Sequence, residues 1–164
     1  MSSFFAKVEA RSKSIDSLLC VGLDPHRNEL SKYGITETST DADVASAAET
    51  FCKEIIDATS SYSVAYKPNA AFFECLGSSG HDTLLSVVKH IPLDIPVLLD
   101  CKRGDIGSTA SAYAIASYDK LLASGVTLSP LMGYDSVSPF ITGGEGRRSK
   151  ATRRDNIMYA ISEA

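Results

Sequence analysis

Short apolar stretches alternate along the chain with longer segments in which apolar residues recur every three or four positions. The short stretches predict β-strands at 17–23, 63–66, 94–101 and 126–131. The periodic segments predict helices at 4–14, 40–59, 78–90 and 107–124. Strands and helices that alternate in this order predict an α/β fold with a parallel sheet, covered on both faces and joined by right-handed crossovers.

The segment 40–59 is the clearest of the predicted helices. Thr40 or Asp41 is a suitable N-cap, because a side-chain oxygen there can accept a hydrogen bond from the first helical turn. We expect one face of this helix to point into the core through Val44, Ala47, Ala48, Phe51, Ile55 and Ile56. In the helix 78–90 the residues expected to point inward are Leu84, Leu85, Val87 and Val88.

Composition narrows the class of protein. A chain of 164 residues, 44% apolar and 22% charged, fits one globular domain. The net charge of −4 argues against a general role in binding nucleic acid. No apolar run reaches the roughly 20 residues that span a bilayer, and the N-terminus lacks the apolar core of a signal peptide. The cysteines lack metal-site spacing, and we interpret them as reduced packing residues of a cytoplasmic protein: Cys20, Cys52, Cys75 and Cys101.

Charged side chains follow three successive predicted strands. Asp24 follows the first strand and Lys67 the second, while Asp100, Lys102 and Asp105 lie at the end of the third. The carboxyl ends of parallel strands meet at one edge, where barrel and doubly wound enzymes place their sites. Because buried charges are costly unless they are well compensated, this cluster predicts a functional site.

The spacing Asp-x-Lys-x-x-Asp over residues 100–105 suits reactions that build negative charge on carbon. A lysine held between carboxylates stays protonated, so its ammonium can neutralise and then protonate a carbanion. Other chemistries lack their motifs, because the chain has no Gly-x-Ser-x-Gly elbow, dinucleotide fingerprint or P-loop. The three histidines are interpreted as solvated or capping residues: His26, His81 and His90.

Several motifs resemble those of the orotidine 5′-phosphate decarboxylase family. They are Val-Gly-Leu-Asp-Pro-His at 21–26, Lys-Pro-Asn-Ala-Ala-Phe-Phe-Glu at 67–74, Leu-Asp-Cys-Lys-Arg-Gly-Asp-Ile-Gly-Ser-Thr at 99–109, and Val-Thr-Leu-Ser-Pro with Gly-Tyr at 126–134. The resemblance implies a TIM-type (β/α) barrel that decarboxylates orotidine 5′-phosphate to UMP in pyrimidine biosynthesis.

The resemblance also implies roles for four charged residues. Lys102 is expected to donate a proton to C6 of the pyrimidine after carbon dioxide leaves, and Asp100 to face the departing carboxylate. Lys67 is expected to bind Asp100 and the ribose hydroxyls. Asp105 is expected to complete a Lys-Asp-Lys-Asp network from the partner subunit of a homodimer.

Two further residues are assigned to substrate binding by the same resemblance. Asp24 is expected to bind ribose, and Thr109 to help bind the substrate across the subunit interface. A role as the helix N-cap, for which Ser108 is the alternative, would explain Thr109 equally well. The resemblance implies no metal and no organic cofactor. The expected partners are the nucleotide substrate and a second subunit, with no nucleic acid and no membrane.

The length predicts an incomplete barrel. A complete barrel takes about 250 residues, and this chain supplies about the first four β/α units. We therefore assign 1–141 to a partial barrel and 142–164 to an unmatched basic tail, interpreted as solvated or disordered with a short helix at 156–163. The chain is interpreted as a shortened form that is weak or inactive alone, because the phosphate-binding loops of such barrels follow strands seven and eight.

Two alternatives remain open. One is a metal-dependent keto-sugar-phosphate decarboxylase of the same superfamily, which shares the Asp-x-Lys-x-x-Asp pattern and would need magnesium. The other is a non-catalytic half-barrel that binds a full-length subunit, since Asp105 and Thr109 would lie at the family's dimer interface.

Overall fold

The structure is a computed structural model that describes residues 4–142 and 157–159, with side chains over 4–141. Its strands are β1 Leu19–Leu23, β2 Ser63–Pro68, β3 Leu98–Arg103, β4 Gly125–Leu128 and β5 Ile157–Tyr159. Its α-helices are α1 Phe4–Ile15, α2 Asp41–Thr59, α3 Ala71–Glu74, α4 Gly77–His90, α5 Gly107–Ile115 and α6 Tyr134–Thr142. Single 3-10 turns occupy Glu29–Tyr33 and Pro130–Met132, and a π turn at Ala116–Lys120 continues α5.

The strands run parallel in two small sheets. β1 pairs with β2, and β3, β4 and β5 form the second sheet in that order. Two isolated parallel bridges, Tyr66 to Val97 and Asn69 to Asp100, connect β2 to β3. The carboxyl ends of the successive strands therefore lie along one edge, as the predicted parallel sheet requires.

The main core lies between the strands and the helices that cover them. Its largest fully buried side chains include Tyr66, Phe73, Phe140, Leu23 and Leu128. At the amino ends of β2 and β3, Phe4 of α1 packs with Val64, Ala65 and Leu98. The Arg11 side chain of α1 donates hydrogen bonds to the carbonyl oxygens of Ser60 and Ser63, at 2.7 Å each. Helix α1 thus closes the amino ends of β2 and β3 and leaves the carboxyl ends open.

The helix predicted at 40–59 is confirmed as α2. Thr40 is its N-cap, and a capping box joins the Thr40 and Asp43 side chains to each other's backbone N–H groups. Six residues of α2 are buried, of which Ala45 and Cys52 were not in the predicted face, while Phe51 and Ile55 are partly buried. Of the predicted inward residues of α4, Leu84, Val87 and Val88 are buried and Leu85 is half-buried.

Several predicted boundaries were wrong. β3 begins at Leu98 and not at 94, because residues 92–95 form a turn closed by the Ile95 N–H and the Pro92 carbonyl. Helix α5 ends at Ile115, where the π turn replaces the predicted continuation to 124. Its N-cap is Ile106 with no side-chain hydrogen bond, so neither Ser108 nor Thr109 caps it. The sequence analysis missed α3 and α6 altogether.

The tail prediction is corrected at 157–159. These residues form β5 and pair with Val126–Leu128 instead of joining a helix. The rest of the segment predicted as helix, like residues 143–156 of the basic tail, lies outside the described residues.

The cysteine prediction was half right. All four are free thiols, and Cys52 is fully buried, whereas Cys20 and Cys75 are exposed and do not serve as packing residues. Burial of Cys52, together with the nearby Asp24 carboxylate, raises the pKa of its thiol to about 12.

Within the part of the chain that the structure describes, no helix combines the length and hydrophobicity that a membrane crossing needs.

Candidate functional site

A cluster of charged and polar side chains lies at the carboxyl ends of β2, β3 and β4. Lys67 of β2 donates a hydrogen bond from Nζ to Asp100 Oδ2 at 3.0 Å, and Lys102 donates from Nζ to Asp100 Oδ1 at 2.7 Å. Thr127 of β4 donates from Oγ1 to Asp100 Oδ1 at 2.9 Å. A single carboxylate therefore accepts hydrogen bonds from two cations and one hydroxyl.

Burial and hydrogen bonding oppose each other at Asp100. Its side chain is 10% exposed, and burial alone raises the pKa of a carboxyl group. The hydrogen bonds from Lys102, Lys67 and Thr127 and the charge of Lys67 outweigh burial and lower the Asp100 pKa to about 2. Asp100 is thus a fixed negative charge at neutral pH.

The two lysines remain accessible. Side-chain exposure is 33% for Lys67 and 54% for Lys102, so the ammonium groups bridge the buried carboxylate and solvent. A ligand above the strand ends can therefore reach both cations. An accessible ammonium held by a buried carboxylate can stabilise a developing anion without reorganising first.

The backbone of β3 is irregular where these residues lie. The β3–β4 register shifts between Leu99 and Arg103, and Lys102 has a φ of 44°, in the left-handed region that non-glycine residues rarely adopt. Such conformations cost about 1–3 kcal/mol and cluster at functional sites. This β3 bulge, formed by residues 100–102, therefore supports a functional role for the end of β3.

Close packing at the end of this bulge requires a glycine. A Cβ atom on Gly104 would lie 2.7 Å from the Ser129 carbonyl oxygen, and the Ser129 N–H donates to the Arg103 carbonyl at 2.8 Å. The backbone after β3 is thus pressed against the backbone after β4.

Asp24 lies at the same edge but outside the hydrogen-bonded cluster. β1 pairs with β2 so that Gly22 is opposite Lys67, which places Asp24 just beyond the end of β1. Its Oδ1 is buried and has no hydrogen-bond partner among the described residues. A buried acceptor without a donor is costly, so Asp24 offers an unused acceptor to a bound hydroxyl.

Asp105 and Thr109 are not brought to the cluster. Asp105 Oδ1 accepts a hydrogen bond from the Ile106 N–H at 2.8 Å, and no ion pair among the described residues joins it to Lys102. Thr109 lies in the first turn of α5, half-buried. Three of the six predicted residues, Lys67, Asp100 and Lys102, therefore form one network within this chain.

Sequence analysis missed two residues around the network. Thr127 was noted only as part of a motif, because a threonine is an ordinary residue of a strand. The sequence analysis gave Arg103 no catalytic or binding role; Arg103 forms an ion pair with Glu74, and its guanidinium lies 4.8 Å from the Tyr113 ring centroid.

The histidines do not join the cluster. His26 packs edge-on against Phe72, with ring centroids 4.4 Å apart, and His90 Nε2 lies 2.7 Å from Asp57 Oδ1. Within the described residues, no group of three or more His, Cys, Asp or Glu side chains is arranged to hold a metal ion.

The chain is an α/β protein with parallel strands, covering helices and a cluster of charged side chains at the carboxyl ends of the strands. Barrel and doubly wound enzymes build their sites at this edge. A family model described as "Orotidine 5'-phosphate decarboxylase / HUMPS family" matches residues 17–159. The chain belongs to this family. The match includes β5, beyond the boundary at 142 that the sequence suggested.

Curated relatives and solved structures agree with this assignment. The chain is 49% identical over 138 residues to orotidine 5′-phosphate decarboxylase of Herpetosiphon aurantiacus, and 47% identical over 142 residues to that of Leptospira interrogans. These alignments cover 84% and 85% of the chain but 49% of each relative, so the chain spans about half their length. The solved orotidine monophosphate decarboxylase of Leishmania donovani is 46% identical, with a TM-score of 0.71, covering 85% of this chain and 49% of that one.

Proposed function

We propose that this chain carries the lysine–aspartate centre for decarboxylation of orotidine 5′-phosphate to UMP. The observation that carries the proposal is the Asp100 carboxylate held between the Lys67 and Lys102 ammonium groups. The bond from C6 to the carboxylate breaks, carbon dioxide leaves, and the electron pair stays on C6. Lys102 then supplies the proton that forms the new C6–H bond.

The charges of the cluster fit this sequence of events. The Asp100 carboxylate faces the leaving carboxylate, and the Lys102 ammonium, half exposed, stabilises the negative charge that develops on C6. Lys67 orients Asp100 and reaches the ribose hydroxyls. Asp24 Oδ1, which lacks a donor in the described structure, accepts a hydrogen bond from a ribose hydroxyl.

The remaining assignments concern assembly. We propose that Asp105 and Thr109 act across the interface of a homodimer, because Asp105 does not reach Lys102 within one chain. We also propose that residues 1–141 are the first part of a (β/α) barrel, followed by a tail at 142–164 of which 157–159 joins the sheet as β5. The parallel order β1 to β5 supports the barrel. Four free thiols are compatible with the proposed cytoplasmic location.

The test is release of labelled carbon dioxide from carboxyl-labelled orotidine 5′-phosphate by the purified chain. We expect slow release above the buffer rate, abolished in Lys102→Ala and retained in Lys89→Ala, a control at an exposed position of α4. Release that is the same in Lys102→Ala and in the wild type would contradict the proposal.

Binding gives a second measurement that does not depend on turnover. Titration with the product UMP should shift the backbone amide signals of Asp24, Lys67 and Lys102. Unshifted signals at all three positions would contradict the proposed site. Two other measurements separate the alternatives. Magnesium-dependent release of labelled carbon dioxide from a carboxyl-labelled keto-sugar phosphate favours the keto-sugar-phosphate reaction, and association with a full-length relative without turnover favours the binding role.

A further inference from the structure

The Thr127 side chain lies at the centre of the β3 bulge. It is buried on β4, and its Oγ1 accepts hydrogen bonds from the Cys101 N–H and the Lys102 N–H, each at 3.0 Å. The same atom lies 2.9 Å from Asp100 Oδ1. One hydroxyl thus contacts three consecutive residues of β3.

The contacts of this hydroxyl fix the direction of its proton. A threonine hydroxyl has one donor proton and two acceptor lone pairs. Backbone N–H groups can only donate, so Cys101 and Lys102 occupy both lone pairs. The single proton must therefore point to Asp100 Oδ1, which accepts it best as an ionised carboxylate.

The hydroxyl also replaces backbone partners that the bulge removes. On β3, Leu99 is paired with Val126 and Arg103 with Leu128, so the residues between them have no partner in the β4 ladder. The Thr127 side chain stands opposite this gap and satisfies two of its N–H groups. One of them belongs to Lys102, whose φ of 44° needs support from its surroundings.

We propose that Thr127 is a positioning residue whose hydroxyl holds the Lys102 backbone in its left-handed conformation and orients the Asp100 carboxylate between the two lysines. The effect on turnover rests on the proposed function, but the positioning itself does not. A serine retains the hydroxyl, whereas a valine replaces it with a methyl group of similar volume.

The test is a titration of the Asp100 side-chain carboxyl by carbon-13 NMR, in the full chain and without substrate. Relative to the wild type, we expect Thr127→Val to raise the midpoint by about one pH unit, because one donor to the ionised form is lost. Thr127→Ser should restore the wild-type midpoint. Thr83→Val is the matched control, since it removes a buried hydroxyl that donates to the Ala45 carbonyl, away from the site.

An unchanged midpoint in folded Thr127→Val would overturn the proposal, as would equal shifts in Thr127→Val and Thr83→Val. A general loss of stability does not move the midpoint of a protein that remains folded. If Thr127→Val does not fold, the proposal is tested by the rate of amide hydrogen exchange at Cys101 and Lys102 in the wild type. Slow exchange of the Cys101 and Lys102 amides supports the proposal, and exchange at the rate of an unstructured peptide overturns it. Neither measurement needs substrate, so absence of turnover would count against the proposed function alone.

Discussion

Replacing Asp100 with asparagine should remove a part of the stability that depends on pH. The pKa of Asp100 lies at about 2 in the folded protein, below the ordinary value of 3.8 for an aspartate carboxyl. A depressed pKa contributes stability that is fully present above the unfolded value and is lost as the pH falls through the folded value. The window for this loss is therefore about pH 4 to about pH 2.

The size of the effect follows from the shift. Before solvent screening, a difference between 3.8 and about 2 corresponds to about 2 kcal/mol of unfolding free energy. Solvent screens part of this, because the Lys67 and Lys102 side chains are 33% and 54% exposed. We expect a contribution of about 1 kcal/mol to remain.

The assay is urea unfolding, followed by circular dichroism, of the wild type and Asp100→Asn at several pH values between about 2 and 6. As the pH falls, the wild type should lose about 1 kcal/mol more than the variant, whatever their difference at neutral pH. Asp82→Asn, at an exposed position of α4, is the control and should follow the wild type because it leaves the Asp100 contacts intact. Parallel curves for the wild type and Asp100→Asn would refute the reasoning.

Two further predictions concern the local structure. Thr40→Ala removes the capping box with Asp43 and should lower the unfolding free energy by about 1 kcal/mol in urea titrations; an unchanged midpoint would contradict the capping role. Gly104→Ala places a Cβ atom 2.7 Å from the Ser129 carbonyl oxygen and should lower the melting temperature, whereas Gly107→Ala, with open space around its Cβ, should not. Equal melting temperatures for the two alanine variants would show that the contact after β3 relaxes freely.

Local patterns were sufficient for the elements that local chemistry determines. Helix α2 could be predicted with its N-cap because apolar spacing and the Thr40–Asp43 capping box both act within one or two turns. The order of strands and helices predicted the parallel sheet, and hence the shared edge of Lys67, Asp100 and Lys102. Helix α6 was missed because Pro139 lies inside it, and proline argues against a helix interior.

The details of the site could not be predicted because they depend on contacts between residues far apart in sequence. The β3 bulge and the left-handed Lys102 are stabilised by Thr127, on the next strand, and no spacing within 98–103 indicates them. For the same reason, Asp100 could be recognised as a candidate acid, but the strong lowering of its pKa needs the Lys67 and Thr127 contacts as well as the nearby Lys102. The sequence therefore indicates which charged residues follow the strand ends, whereas the packing of β2, β3 and β4 determines which of them form hydrogen bonds and ion pairs with each other.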